Sequence, residues 1–257
     1  MNQQERRQFL IRRLLDEQPS YRAMELPSGE AEQRRLLRSL FNIRLPGAVD
    51  ESFLTVQDEY LREETRKKGV TALAELTQVA PGLYLWQGDI TTLACDAIVN
   101  AANSGMTGCY QPCHNCIDNC IHSWAGVQLR NACAELMERQ GYEEPTGRAK
   151  LTPAYNLPCK YVIHTVGPIV QGRLTKRQEE LLASCYRACL ALAEENGLKS
   201  VAFCCISTGE FHFPNEEAAV IALRTVRGFV KHHPGMKVIF NVFKELDRKI
   251  YSRLLGC

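Results

Sequence analysis

Residues 96–103 read Asp96-Ala97-Ile98-Val99-Asn100-Ala101-Ala102-Asn103. The apolar and β-branched part of this stretch predicts a buried strand over Ala97–Asn100. A longer apolar run predicts a second strand over Val201–Ile206. Similar runs between and beyond them predict four more strands, at Tyr84–Gln87, Ala149–Thr152, Tyr161–Thr165 and Lys237–Val242.

Stretches with helical periodicity separate these runs. They predict helices over Ile117–Arg139, Lys176–Glu195, Asn215–His232 and Lys244–Leu255. Strands that alternate with helices indicate an α/β sandwich built on a central, mainly parallel sheet.

The first 75 residues have a different pattern, with helical spacing and no strand-like run. Apolar positions predict a helix around Phe9–Leu15, a second from Ser28, and a third over Asp50–Lys68, with a break at Leu45-Pro46-Gly47. We therefore divide the chain into a helical amino-terminal extension, residues 1–75, and a main domain, residues 76–257. Two roles remain open for the extension: packing against the main domain, or docking a partner protein.

Composition excludes several classes of protein. The chain has 257 residues, of which 45% are hydrophobic and 23% charged, as is usual for a globular protein. The formal net charge is +2, whereas nucleic-acid-binding proteins usually have a strong excess of basic residues. We therefore expect no nucleic-acid partner. No apolar run has the length of a membrane span, and charged residues occupy the place of a signal peptide's apolar core. We predict a cytoplasmic protein with no membrane partner.

Cysteine is unusually abundant, with twelve residues in the chain. Thiolates and imidazoles are ligands that Zn²⁺ prefers, and one segment concentrates both. That segment contains Cys109, Cys113, His114, Cys116, Cys120 and His122. Its spacing fits a structural zinc site with four protein ligands or a catalytic site with three. Two other interpretations remain: unliganded core thiols, or a redox pair at Cys113 and Cys116, whose thiol pKa a helix N-terminus would lower.

Two further loops follow predicted strands. In Gly88-Asp89-Ile90-Thr91, the Asp89 side chain could bind a ligand's amine or hydroxyl group, or cap the next element. In Ser207-Thr208-Gly209-Glu210-Phe211, successive backbone N–H groups could hold an anion such as a diphosphate. Neither a dinucleotide-binding glycine fingerprint nor a P-loop is present.

Taken in order, four motifs resemble those of the macrodomain family, an ADP-ribose-binding module. They are Gly88–Thr91, Asp96–Asn103, Val162-Ile163-His164-Thr165-Val166-Gly167-Pro168 and Ser207–Gly209. The resemblance covers about residues 75–257. It implies a three-layer α/β/α fold with a mixed, mainly parallel sheet.

The Cys/His segment stands where common hydrolytic macrodomains carry a glycine run. In this respect the chain resembles the zinc-dependent macrodomains of bacteria, which are sirtuin-linked protein-ADP-ribose hydrolases with a helical N-terminal extension. The resemblance implies one Zn²⁺ per chain, held by Cys109, His114 and Cys116. Cys113 and Cys120 lie outside the family's ligand set, although Cys113 could replace His114.

The same resemblance assigns the other roles. Asp118 and Asn103 correspond to catalytic residues beside the distal ribose, and His122 and His164 are interpreted as structural. Residues implied to bind ADP-ribose are Asp89, Ile90, Asn103, Ser207, Thr208, Gly209, Glu210 and Phe211.

The implied activity is removal of mono-ADP-ribose from modified proteins, with an ester on Asp or Glu as the expected linkage. The implied partners are a mono-ADP-ribosylated substrate of the lipoyl-carrier type, similar to the glycine-cleavage H protein, and a sirtuin-type ADP-ribosyltransferase. Two alternatives predict different behaviour. A non-catalytic ADP-ribose reader with a structural zinc would bind without turnover, and a thiol redox protein would form a disulfide and ignore chelators.

Overall fold

A computed structural model describes residues 1–257, which form eight α-helices and nine β-strands. The helices are α1 Gln3–Asp16, α2 Glu30–Ile43, α3 Glu51–Lys68, α4 Ile117–Ala125, α5 Val127–Gln140, α6 Lys176–Glu195, α7 Asn215–His232 and α8 Glu245–Leu255. The strands are β1 Thr71–Ala72, β2 Gln78–Ala80, β3 Leu83–Gln87, β4 Leu93–Ala94, β5 Ala97–Ala102, β6 Ala149–Pro153, β7 Tyr161–Val166, β8 Ser200–Phe203 and β9 Lys237–Val242. None of the helices combines the length and apolar character needed to cross a bilayer.

A seven-stranded sheet forms the centre of the main domain, in the order β2-β3-β9-β8-β5-β7-β6. The inner strands are parallel, whereas β2 and β6 pair antiparallel with their neighbours at the two edges. Helices flank this sheet, which confirms the predicted α/β/α class with a mixed, mainly parallel sheet. β5, β7 and β8 are buried along nearly their whole length, and this burial explains their unbroken apolar runs.

The amino-terminal helices form a three-helix bundle with its own small core. Asn2 caps α1 by accepting a hydrogen bond from the Glu5 amide, and Asp50 caps α3 by accepting one from the Phe53 amide. Trp124 of α4 packs against both this core and the main core. The bundle therefore lies against the main domain at α4 and α5.

Polar contacts fix this packing. Buried Gln57 of α3 accepts a hydrogen bond from the Val127 amide at 3.0 Å. Arg130 of α5 donates to the carbonyls of Phe41, Asn42 and Arg44 at the end of α2. The extension thus packs against the main domain, which was one of the two roles left open for it. The exact domain boundary between residues 75 and 76 stays a prediction.

The predicted helix Ile117–Arg139 is wrong in one respect, because Gly126 divides it into α4 and α5. Gly126 has a φ of +97°, and a Cβ there would lie 2.7 Å from Gln57 Nε2. The break therefore depends on a side chain of α3, which local helical spacing does not reveal.

The predicted strand Val201–Ile206 is also too long at its end. β8 stops at Phe203, where its pairing with β5 and β9 ends. Residues 204–206 remain largely buried but leave the sheet, and the Cys205 carbonyl accepts the Thr208 amide in a turn. Their apolar character reflects burial rather than strand pairing.

Candidate active site

The carboxyl ends of four parallel strands meet at one edge of the sheet. β3 leads to Asp89, β5 to Asn103, β8 to the loop that begins at Ser207, and β9 to Phe243. In α/β sheets this edge is where ligands bind. The structure thus brings to one edge the segments that the sequence analysis assigned to ADP-ribose.

Asp118 lies in the first turn of α4, where only 5% of its surface is exposed. Asn100 Nδ2 donates to its Oδ1 at 2.8 Å, and Asn103 Nδ2 lies 3.3 Å from its Oδ2. Burial raises the pKa of Asp118 to about 6, although the two asparagines and Arg130 favour the charged form. The predicted catalytic pair Asp118 and Asn103 is therefore in contact, and the carboxylate is held in one orientation.

Three side chains of the Cys/His segment converge beside this carboxylate. The Sγ atoms of Cys109 and Cys116 and a ring nitrogen of His114 all lie within 4.8 Å of one another. The Cys109 Sγ to His114 Nδ1 distance is 3.8 Å. Burial, with Cys109 and Asp118 adding to it, raises the pKa of Cys116 to about 12. Burial thus outweighs the helix N-terminus that was expected to lower a thiol pKa in this segment.

The remaining cysteines of the segment contact the amino-terminal bundle. Cys113 Sγ lies 3.2 Å from Ser39 Oγ and 3.4 Å from the Arg35 carbonyl oxygen. Cys120 Sγ lies 3.6 Å from Arg38 Nη2. The cluster therefore combines two thiols with one imidazole, and Cys113 is not a member of it.

This donor set fits a zinc ion. Thiolate and imidazole ligands suit Zn²⁺, and three protein ligands leave a coordination position for a substrate. His114 Nε2, the ring nitrogen that does not approach Cys109, lies 3.7 Å from Glu210 Oε1. A carboxylate next to the second nitrogen is common for metal-bound histidine. The same contact joins the Cys/His segment to the 207–211 loop.

The 207–211 loop offers unpaired donors. The amides of Gly209, Glu210 and Phe211 donate no hydrogen bond within the protein. Ser207 has a φ of +66°, and its buried Oγ has no partner. Gly167 makes room for this hydroxyl, because a Cβ at that position would lie 2.0 Å from Ser207 Oγ. Adjacent free amides of this kind form an anion-binding site.

Asp89 combines the two roles considered for it. Its Oδ1 caps a short 3-10 turn by accepting from the Thr91 amide and hydroxyl, at 3.0 and 2.6 Å. Its Oδ2 lies 3.1 Å from Nζ of Lys68, at the end of α3. The neighbouring Ile90 is buried, with only 2% of its surface exposed, and its predicted contact with ADP-ribose stays a prediction.

Both histidines interpreted as structural are buried. The pairing of β5 with β7 sets His164 beside Asn100, whose Nδ2 lies 3.1 Å from His164 Nδ1. His164 Nε2 lies 2.9 Å from Thr152 Oγ1, and burial lowers the pKa of His164 to about 3. His122 Nε2 lies 3.6 Å from Asp118 Oδ1, so His122 borders the site directly.

Sequence reasoning missed three residues of the site. Asn100 was treated as part of a strand, although it contacts both Asp118 and His164. Lys68 reaches Asp89 from the extension and carries no local signal. Phe243 is 75% exposed and directly follows β9, whose last residue, Val242, accepts a hydrogen bond from the Gly88 amide. An aromatic residue directly after a predicted strand was a readable signal.

Comparison with known proteins agrees with this geometry. The Macro domain family matches residues 99–222. A Treponema medium protein named protein-ADP-ribose hydrolase is 58% identical to this chain and spans 100% of both proteins. A Fusarium oxysporum protein named probable bifunctional ADP-ribose hydrolase/ADP-ribosyltransferase is 40% identical over 88% of this chain and 41% of its own length.

A solved structure is similar as well. The Trypanosoma brucei macrodomain in complex with ADP-ribose superposes with a TM-score of 0.66 at 32% identity, covering 85% of this chain and 95% of that one. Three observations point to the same family: the sequence identity over the full length, the similar fold, and the residues at the carboxyl edge of the sheet. The chain belongs to the macrodomain family of protein-ADP-ribose hydrolases.

Proposed function

We propose that this chain hydrolyses the bond between mono-ADP-ribose and an acidic side chain of a modified protein, at a centre that holds one zinc ion. The observation that carries the proposal is the contact of buried Asp118 with Asn103, beside the thiols and imidazole of Cys109, His114 and Cys116. The names of the relatives and the ADP-ribose complex of a similar macrodomain support the substrate class.

The binding role of the sheet edge follows from its donors and acceptors. Asp89 accepts from the exocyclic amine of the adenine base. The exposed ring of Phe243 offers a face on which the base stacks. The free amides of Gly209, Glu210 and Phe211 donate to the diphosphate. These contacts hold the distal ribose next to Asn103 and Asp118. The scissile bond is thereby oriented for reaction before the chemical step begins.

Asp118 acts on the hydrolytic water. Its carboxylate orients the water and takes a proton from it as the water oxygen bonds to the ester carbonyl carbon. The bond from that carbon to the ribose oxygen then breaks, and the ribose oxygen regains the proton. The products are a free side-chain carboxylic acid and ADP-ribose. Asn100 and Asn103 keep the Asp118 carboxylate in place throughout.

Cys109, His114 and Cys116 would hold the metal. A zinc ion bound there supplies Lewis acidity next to the ribose-binding residues. An acyl ester is already activated, so a carboxylate and a Lewis acid suffice for its hydrolysis.

A substitution at Asp118 tests the proposal against a reader that only binds. Asn in place of Asp118 keeps the side-chain shape and removes the negative charge. For Asp118→Asn we expect ADP-ribose release from an aspartyl-linked ADP-ribosylated protein to fall at least about 100-fold. The dissociation constant for free ADP-ribose should change less than about threefold. Unchanged release would remove Asp118 from the mechanism, and no release by the unsubstituted protein would leave a reader.

A lipoyl-carrier protein is the proposed substrate, and a sirtuin-type ADP-ribosyltransferase is the proposed source of the modification. The bifunctional name of the Fusarium oxysporum relative supports pairing of the hydrolase with a transferase. The test compares release from an ADP-ribosylated carrier with release from an unrelated protein that bears the same linkage. A preference of at least about tenfold for the carrier is expected, and equal rates would contradict this assignment.

A further inference from the structure

Helix α2 of the amino-terminal bundle lies against the segment that carries the Cys/His cluster. Arg38 Nη2 donates to the His114 carbonyl oxygen at 2.6 Å and to Asn119 Oδ1 at 3.0 Å. His114 is one of the three clustered residues, so a side chain of the extension bonds directly to the backbone of a proposed ligand.

Asn42, one turn further along α2, makes a second contact. Its side chain is 1% exposed, and its Oδ1 accepts from the Cys113 amide at 2.8 Å. Cys113 has a φ of +53°, in the left-handed region that non-glycine residues rarely adopt. The hydrogen bond that the Cys113 amide donates to Asn42 Oδ1 therefore stabilises a strained backbone position directly before His114.

Asn119 extends these contacts to the other two clustered residues. Its Nδ2 donates to the carbonyls of Cys109 and Gln111, at 3.3 and 2.9 Å. Its amide donates to Cys116 Sγ at 3.4 Å. Because Arg38 holds Asn119 Oδ1, one network rooted in α2 reaches Cys109, His114 and Cys116.

We propose that Arg38 and Asn42 are positioning residues, which hold the 109–116 segment in the conformation that binds the metal ion. This inference rests on the metal centre of the proposed function. The segment has no regular secondary structure, so without α2 it would have to be ordered when the metal binds, at a cost in affinity. The extension is then part of the metal centre, in addition to packing on the main domain.

Substitutions on α2 test this inference by metal affinity. For Arg38→Ala and Asn42→Ala, we expect zinc affinity to fall about 10- to 100-fold, as for other residues that orient metal ligands. Zinc affinity is measured by competition with a chromogenic chelator. Asn42→Asp retains the acceptor for the Cys113 amide but loses the bond that Asn42 Nδ2 donates to Ser123 Oγ. It should lower thermal stability and keep zinc affinity within about threefold of that of the unsubstituted protein.

Arg34→Ala is the matched control on the same helix. Arg34 pairs with Glu30 and Glu64 within the bundle and does not contact the Cys/His segment. This variant should lower the midpoint of thermal unfolding and leave zinc affinity unchanged. Metal-free Arg38→Ala should bind ADP-ribose as the unsubstituted protein does, because the contacts of Arg38 lie in the Cys/His segment.

The outcomes separate this inference from the proposed function. If Cys109→Ser loses zinc while both Arg38→Ala and Asn42→Ala keep it, the positioning role is overturned and the metal centre stands. If zinc affinity falls equally in Arg34→Ala and Arg38→Ala, α2 acts only through general stability and the inference is also overturned. If Cys109→Ser binds zinc as tightly as the unsubstituted protein, the proposed metal centre is wrong and the inference falls with it.

Discussion

Lys68 Nζ lies 3.1 Å from Asp89 Oδ2 and 3.4 Å from the centroid of the Trp124 ring. The last turn of the amino-terminal bundle thus holds the carboxylate that we assign to the adenine base. An exocyclic amine that donates to Asp89 has to compete with this ammonium group. We therefore expect the extension to affect ligand binding in addition to packing against the main domain.

Removal of this competition should strengthen binding. For Lys68→Met, which removes the ammonium group and keeps an unbranched apolar side chain, we expect the dissociation constant for ADP-ribose to fall about threefold, as is typical of a partly exposed ion pair. Isothermal titration calorimetry measures it. Ribose 5-phosphate, which lacks the base, should bind equally to both proteins. Weaker ADP-ribose binding in the variant would show that Lys68 assists the base instead.

Phe243 gives a prediction about base stacking. Phe243→Ala should weaken ADP-ribose binding about tenfold, since an aromatic face contributes on that order to binding of a stacked base. Leu246→Ala is the control, because Leu246 is a nearby apolar residue that is also exposed, at 56%. Equal effects of the two substitutions would contradict a specific stacking role.

Buried histidine gives a prediction about acid stability. Burial lowers the pKa of His164 to about 3, whereas the unfolded chain has an ordinary pKa near 6.5. Between these values the unfolded chain binds more protons, so this stabilising contribution is complete above about pH 6.5 and is lost as the pH falls. From about pH 7 to pH 5, His164 should account for a loss of about 2 kcal/mol in the free energy of unfolding.

Urea unfolding of the unsubstituted protein and His164→Gln at both pH values measures this loss. Between about pH 7 and pH 5, the free energy of unfolding of His164→Gln should fall by about 2 kcal/mol less than that of the unsubstituted protein. Burial also lowers the pKa of His122, which acts in the same direction, and raises the pKa of Asp118, which acts in the opposite direction below about pH 6. Both groups are present in the two proteins. His164 also helps to lower the pKa of His122, so the difference reports on His164 together with its effect on His122. Parallel pH curves would refute the assignment.

Gly126 gives a prediction about the junction between bundle and main domain. Gly126→Ala should destabilise the protein by about 2–4 kcal/mol, because φ is +97° and the new Cβ meets Gln57. Gly141→Ala, at the other end of α5, has a φ of +76° but no atom within 4 Å of the new Cβ. This substitution should lower the free energy of unfolding by about 1–2 kcal/mol, because backbone strain is its only unfavourable effect. Chemical denaturation compares the two, and equal losses would contradict a specific contact at Gly126.

Local sequence patterns predicted most elements of the fold. The strands from Ala97, Tyr161 and Lys237 begin where apolar, β-branched runs predicted them, because burial on both faces leaves that signal. The patterns failed at Gly126 and after Phe203. There the chain direction is set by tertiary contacts, and apolar character persists without regular pairing.

The places of Asp89 and Asn103 could be predicted, because both residues follow strands in short motifs, whereas their roles in ligand binding rest on the family resemblance and stay predictions. Contacts across the extension were not predictable. Arg38 lies 76 residues from His114 in the sequence, and Lys68 lies 21 residues from Asp89. Such pairs depend on how the bundle docks, and neither helical periodicity nor charge patterning encodes that arrangement.

Zinc dependence of turnover tests the central claim most directly. ADP-ribose release from an aspartyl-linked ADP-ribosylated carrier protein is measured for the protein as purified, after complete chelation, and after zinc is added back. The account predicts that chelation stops release and that zinc restores it. Release that continues at the same rate, in protein shown by metal analysis to hold no zinc, would contradict it.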